Sequence, residues 1–147
     1  MGFKEDILDL IVKASAYTGK PLTSSDFTVI HQPLQHKPLS LPSGKMAVYT
    51  FVYNGTFLKI GQANVNSKAR YQSHPYNVGS ANSTLAKSLL NDPSMSALVN
   101  IDNVNQWIKD NCERFDVIID SKHKKVALNF IEGLLHYKYN PKYEGKI

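Results

Sequence analysis

The stretch Ala47–Gly61, AVYTFVYNGTFLKIG, sets two β-prone runs on either side of Asn54-Gly55. Asn-Gly is a strong local hairpin signal, because both residues accept the positive φ that a two-residue type I′ turn demands. Loop length then decides which side chains share a face, since successive residues of a strand point to opposite sides. A two-residue turn pairs Tyr53 with Thr56 and Tyr49 with Ile60, and it sends Lys59 to the face opposite Tyr49. A three-residue loop at 53–55, with Gly55 left-handed in a G1 bulge, instead sets Tyr49 directly across from Lys59. This register gathers Val48, Val52, Leu58 and Ile60 on one face and Tyr49, Phe51, Phe57, Lys59 and Gly61 on the other. The two-residue register mixes aliphatic, aromatic and charged residues on both faces. Register follows the hydrophobic pattern, so the bulged hairpin is the expectation.

Around the hairpin, the chain has 147 residues, 42% hydrophobic and 20% charged, which suits one soluble domain with a real core. Seventeen Lys+Arg against twelve Asp+Glu leave a formal charge of +5, favourable for a polyanionic partner. Cys112 is the single cysteine, so no internal disulfide or cysteine metal site can form, and a reducing cytoplasm is expected. Lys4, Glu5 and Asp6 precede the first apolar run, which starts at Ile7, unlike a signal peptide, and no apolar run approaches a membrane span.

Phe3, Ile7, Leu10, Ile11 and Ala14 recur at helical spacing, predicting an amphipathic helix over 4–17 that stops before Gly19-Lys20-Pro21. Residues 21–45 hold four prolines, Gly44 and one strand-like piece, Phe27–Ile30, and read as an irregular arm. The arm either wraps the surface or contributes to nucleic-acid binding. After the hairpin, Asn66 or Ser67 caps a short helix over 68–73, which Pro75 ends. Further helices are expected over 83–90, with Asn82 or Ser83 as cap, and over 104–111. Phe115–Asp120 is an apolar run of strand length, and Ser121 caps a long helix reaching about Tyr139 before Asn140-Pro141. This order predicts an α/β fold with a small mixed central β-sheet flanked by helices. Residues 1–45 form an N-terminal helix and arm, and 46–147 form the core of a single compact domain.

Ala47-Val48-Tyr49, then Lys59-Ile60-Gly61, Arg70 in NSKARYQSH and Glu132 in NFIEGLLHYKYNPKY together resemble the GIY-YIG nuclease family. The likeness covers roughly residues 46–144 and is nearest to the restriction-endonuclease-like branch, which is similar in its short free-standing chain and in admitting lysine at the second tyrosine position. Two positions depart from the family pattern: Lys59 stands where the name expects tyrosine, and Glu144 where asparagine is usual. The resemblance implies a DNA endonuclease dependent on Mg²⁺ or Mn²⁺, with restriction or defence as its setting. It gives Tyr49 the part of general base, Arg70 and Lys59 those of phosphate and transition-state ligands, and Glu132 that of metal ligand.

The residues suit such chemistry on their own terms. Phosphodiester cleavage needs a base for water, positive charge for the crowded transition state, and a cation or acid at the departing 3′ oxygen. Tyrosine, with a pKa of about 10, acts as a base only where neighbouring cations favour the phenolate. Lys59 is such a cation and either stabilises the phenolate or binds the phosphate. Arg70 offers a planar guanidinium for two phosphate oxygens, against the alternative of a solvated surface arginine. His74 shares Arg70's face if the helix persists, and is then an auxiliary that positions water or passes a proton. Gly61 lets a backbone approach without a Cβ in the way. Glu132 sits at the margin of the apolar arc of the last helix and meets the sheet edge, where it holds a hard cation or pairs with Lys59 or Arg70. Asp116 and Asp120 receive no role. A nucleic-acid-binding or regulatory protein without catalysis, and an interaction protein with incidental charge, are the alternatives. A cutter of both strands with one site per chain needs a homodimer or two sequential nicks.

Overall fold

The computed structural model describes residues 2–79 and 84–143. Helix α1 (Phe3–Tyr17) is followed by strand β1 (Phe27–Gln32), the hairpin of β2 (Lys45–Tyr53) and β3 (Thr56–Ala63), and then α2 (Lys68–Gln72). Helices α3 (Leu85–Leu90) and α4 (Val104–Asn111) lead to strand β4 (Glu113–Asp120) and helix α5 (Lys124–Tyr139). Short 3₁₀ turns occupy His74–Tyr76, Pro93–Met95 and Ser121–His123. Among the described residues, no helix is long and apolar enough to cross a membrane.

The four strands form one sheet in the order β1-β4-β2-β3, so the fold is α/β as expected. The sheet is not mixed, however: β1 with β4, β4 with β2 and β2 with β3 are all antiparallel. The crossover from β3 through α2, α3 and α4 does return parallel to β3, but it lands on the far side of β2. Two parallel strands therefore never become neighbours. The arm's strand-like piece is longer than expected and supplies the sheet edge β1, and Ser15 Oγ accepts the Leu22 amide at 2.8 Å to hold the arm against α1.

The alternation of the strands builds two cores. On one face Val48, Val52, Phe57 and Ile60 of the hairpin and Phe115, Val117 and Ile119 of β4 pack with Ile7 and Ile11 of α1 and Leu128, Ile131 and Leu135 of α5. On the other, Tyr49, Phe51 and Leu58 pack with Tyr71, Tyr76, Leu85, Leu89, Val104 and Ile108. The apolar period of α1 and α5 is thus explained by one shared face, and the chain between β3 and β4 covers the other.

Helix ends differ slightly from expectation. Thr84, not Asn82 or Ser83, caps α3 by accepting the Lys87 amide at 3.1 Å, and those two candidates lie outside the described residues. Asp120, not Ser121, receives the Lys122 amide at 2.9 Å and starts the 3₁₀ turn before α5. A carboxylate at a helix start also complements the exposed amides there.

Candidate functional site

The hairpin combines features of both expected registers. Tyr53 pairs with Thr56 across Asn54-Gly55, whose φ values of 48° and 77° are those of a two-residue type I′ turn. The three-residue loop is therefore not formed. Farther along, Val52 pairs with Phe57 but Phe51 pairs with Lys59, which leaves Leu58 as an extra residue in β3. This bulge shifts the remaining ladder by one, so Tyr49 lies across from Gly61, and Tyr49, Phe51, Lys59 and Gly61 share a face. Parity is as expected; the partner is not. Phe57 and Leu58 exchange faces relative to expectation, because the extra residue sits after Phe57 instead of at the turn. Phe57 stacks on Tyr139 of α5 with ring centroids 4.0 Å apart, while Leu58 enters the opposite core.

Gly61 is required by this pairing. A Cβ added there would stand 2.5 Å from the Tyr49 hydroxyl oxygen and 2.6 Å from Cζ, so the phenol lies directly across the Gly61 backbone. The ring is nearly buried, at 3% exposure, and its hydroxyl is carried over β3 toward the edge of the sheet.

At that edge the other sequence-selected residues converge. Arg70 projects from the exposed surface of α2 to the Tyr49 hydroxyl. Lys59, 8% exposed, lies within electrostatic reach of both Arg70 and Glu132. Glu132 reaches the edge from α5, where its Oε2 accepts a hydrogen bond from the Gln62 amide and its Oε1 lies 3.5 Å from His136 Nε2. Four elements, β2, β3, α2 and α5, thus supply one tyrosine, two cations and one carboxylate. His74 lies beyond α2, which ends at Gln72, and opens a separate 3₁₀ turn with Pro75 behind it. Among the described residues, no hydrogen bond or ion pair joins His74 to the other four. Glu144 lies outside the described residues.

Burial dominates the electrostatics. It raises the Tyr49 pKa above 10, and Arg70, Arg114 and Glu132 then act upon it, the two arginines favouring the anion and Glu132 opposing it. Burial also lowers the Lys59 pKa, reinforced by Arg70 and opposed by Glu132.

Two neighbours of Glu132 escaped the sequence reading as site residues. Gln62 donates to both Asn129 Oδ1, at 3.0 Å, and Glu132, and His136 Nε2 meets the Ile60 carbonyl at 3.0 Å as well as Glu132. The signal was present: Gln62 follows Gly61, and Glu132, His136 and Asn129 recur at helical spacing on one side of α5. These residues hold the carboxylate in place against the edge strand. Among the described residues no three His, Cys, Asp or Glu side chains gather around a common point. The donor set fits a hard cation only where Glu132 is supplemented by waters and phosphate oxygens, the usual arrangement for Mg²⁺.

Beneath the site lies a network that the sequence reading passed over. Arg114 and Asp116 are both fully buried, with Arg114 Nε 3.2 Å from Asp116 Oδ2. Asp116 also accepts from the Tyr71 hydroxyl at 2.9 Å and from the Gln32 amide at 2.8 Å. Arg114 donates to the Tyr76 hydroxyl at 3.0 Å and the Tyr71 carbonyl at 3.1 Å, and its guanidinium lies 4.7 Å from the ring centres of Phe51 and Tyr71. Burial opposes the Arg114 charge, but Asp116 and the phenols outweigh it and keep the guanidinium protonated. The pair ties α2, the helix bearing Arg70, to the central strand β4. Set against protein-family models, curated proteins and solved structures, the chain finds no match.

Proposed function

We propose that the protein is a divalent-metal-dependent endonuclease that hydrolyses phosphodiester bonds of DNA in the cytoplasm, in a restriction or defence role, as a homodimer or by successive nicks. The observation that carries this reading is the meeting of Tyr49, Lys59, Arg70 and Glu132 at the β3 edge. Arg70 grips non-bridging phosphate oxygens, and Lys59 adds a second positive charge beside Glu132. Tyr49, in the phenolate form that Arg70 and Arg114 favour, accepts a proton from the attacking water as the new P–O bond forms and the bond to the 3′ oxygen breaks. A Mg²⁺ or Mn²⁺ ion held by Glu132 would supply Lewis acidity at the phosphate and the departing oxygen. Gln62 and His136 orient Glu132 for that part.

The test is incubation of supercoiled and linear DNA with the protein, with and without Mg²⁺, with mapping of the ends. Metal-dependent cleavage that falls by about 10²–10³-fold in Glu132→Ala is expected. Failure of the wild type to cut any DNA, or undiminished cutting by the variant, would overturn the reading. One observation favours a second reading, DNA binding without catalysis: the Tyr49 ring is almost wholly buried and its phenol is held protonated by that burial. Steeply salt-dependent binding without cleavage identifies that case.

A further inference from the structure

Helix α5 runs antiparallel to β3, and the contacts between them follow in order. Tyr139 stacks on Phe57, His136 Nε2 meets the Ile60 carbonyl at 3.0 Å, and Asn129 Oδ1 and Glu132 both accept from the Gln62 amide. Asn129, Glu132 and His136 are spaced three and four apart, so they form one row on the flank of α5 that meets the strand. Lys125 heads the same row. It stands four residues before Asn129 and two helical turns before Glu132, which puts its Cα about 10 Å from that of Glu132 toward the start of the helix. Because β3 runs the other way, this is the end of the site where residues 64–67 lead from β3 into α2 and Arg70.

Charge along this helix is uneven. Glu132 is the single acidic residue from 121 to 140, against four lysines. It is already engaged by Gln62 and His136, and a separation of about 10 Å is too great for an ion pair with Lys125. The positions three and four residues from Lys125 are Ser121, Lys122, Leu128 and Asn129, so no helical neighbour offers it a carboxylate. Lys125 is exposed, and among the described residues no ion pair holds it. The surface beside the row is open as well: a Cβ at Gly133, next to Glu132, would meet nothing within 4 Å. A DNA strand gripped at Arg70 carries further phosphates, one for each rise of about 3.4 Å, and lysine takes a phosphate as a point charge on a flexible stem.

We infer that Lys125 binds a further backbone phosphate of the DNA held at Arg70, so that the strand leaves the site along this row toward the start of α5. The inference rests on the DNA-binding part of the function proposed above. It requires no catalysis.

Fluorescence anisotropy of a labelled duplex over a salt titration tests it, with no divalent metal present so that no strand is cut. Each neutralised phosphate contributes about 0.9 to the slope of log K against log salt, so Lys125→Ala should lower the slope by about 0.9 and weaken binding about eightfold at about 0.1 M salt. Lys125→Arg keeps both values, and the double variant Arg70→Ala/Lys125→Ala loses about twice the slope of either single variant, as two separate phosphates require. Lys138→Ala is the control. It removes the same charge from the same helix, but about 140° round the helix from Lys125, and should leave the slope unchanged. A Lys125→Ala slope equal to that of the wild type, a Lys125→Arg slope as low as that of the alanine variant, or an equal loss in Lys138→Ala, which is an effect of net charge alone, would overturn the inference. Absence of binding by the wild type overturns it together with the function proposed above. Cleavage with Mg²⁺ is scored separately. The expected dependence on Lys125 without cleavage counts against the nuclease and leaves this phosphate contact standing.

Discussion

Gly61→Ala places a methyl group where the Tyr49 phenol now lies. The new Cβ would stand 2.5, 2.6 and 2.9 Å from Oη, Cζ and Cε2, against an ordinary contact of 3.4 Å or more. The ring must retreat by about 1 Å, and the surrounding core gives it little room, since Phe51 and Tyr71 nearby are almost fully buried. Overpacking of this kind costs about 1–3 kcal/mol, while alanine regains about 0.4–1 kcal/mol by restricting the unfolded chain. A net loss of about 1–2 kcal/mol follows, read as a fall in Tm of about 2–8 °C for a chain of this size. A reacting group displaced by about 1 Å costs about 10²-fold in rate, so cleavage should fall far more than stability does. Thermal unfolding and cleavage are measured for the wild type, Gly61→Ala, Tyr49→Ala and the double variant. Removing the phenol removes the clash, so Gly61→Ala should be neutral or mildly stabilising in the Tyr49→Ala background. An equal cost in both backgrounds, or a Gly61→Ala protein as stable and active as the wild type, would refute the proposed approach of ring to backbone.

Asp116→Ala leaves the Arg114 charge buried without its carboxylate and is expected to cost about 3–5 kcal/mol in denaturant unfolding; a loss below about 1 kcal/mol would show that water or another partner compensates. His36 is buried against the Tyr76 hydroxyl at 2.6 Å. Since that hydroxyl accepts from Arg114, it donates to His36 Nε2, and burial followed by the Arg114 charge lowers the histidine pKa from 6.5 to about 4. The unfolded chain then takes up a proton first, so this residue's contribution to stability is complete above about pH 6.5 and declines as pH falls toward 4. His36→Leu should flatten stability across that window, and identical pH profiles for the two proteins would contradict the assignment. Arg70→Ala should weaken DNA binding about equally for all sequences and reduce the salt slope by about 1, measured by anisotropy over a salt titration; an unchanged slope would remove Arg70 from the phosphate contacts.

Much of the architecture was legible because it depends on local periodicity. The apolar repeat of α1 and α5 and the hairpin signal of Asn54-Gly55 are properties of short segments, and the two helices and the hairpin lie where the pattern puts them, although the turn has two residues where three were expected. Of the five residues singled out from the sequence, Tyr49, Lys59, Arg70 and Glu132 lie within electrostatic reach of one another at one edge, while His74 opens the turn after α2. Glu132 sits at the boundary of its helix's apolar arc, where a side chain meets the rim of a sheet, and this too was a local inference. The expected strand began at Phe115, so Arg114 lay outside it, and the pairing of Arg114 with Asp116 on one face of β4 (Glu113–Asp120) was not read from the sequence.

What tertiary structure alone decided is the register and the company each residue keeps. Both loop lengths were compatible with the sequence around Asn54-Gly55, and the outcome was a two-residue turn followed by a bulge at Leu58. Phe57 stacks on Tyr139, more than eighty positions along the chain, and Leu58 is held by the opposite core. The backbone of Leu58 also accepts the Tyr143 amide at 2.8 Å. These long-range contacts choose where the extra residue goes, because a bulge costs least where both flanking side chains gain a packed face. The same crossover that set β4 beyond β2 made the sheet wholly antiparallel and buried Arg114 with Asp116 beneath Tyr49. The sequence alone determined the hairpin and the amphipathic helices, whereas the parity that puts Tyr49 and Lys59 on one face came from the bulge at Leu58. The placing of Tyr49 across Gly61, with Arg70 at its hydroxyl, depended on distant segments whose packing no local window contains.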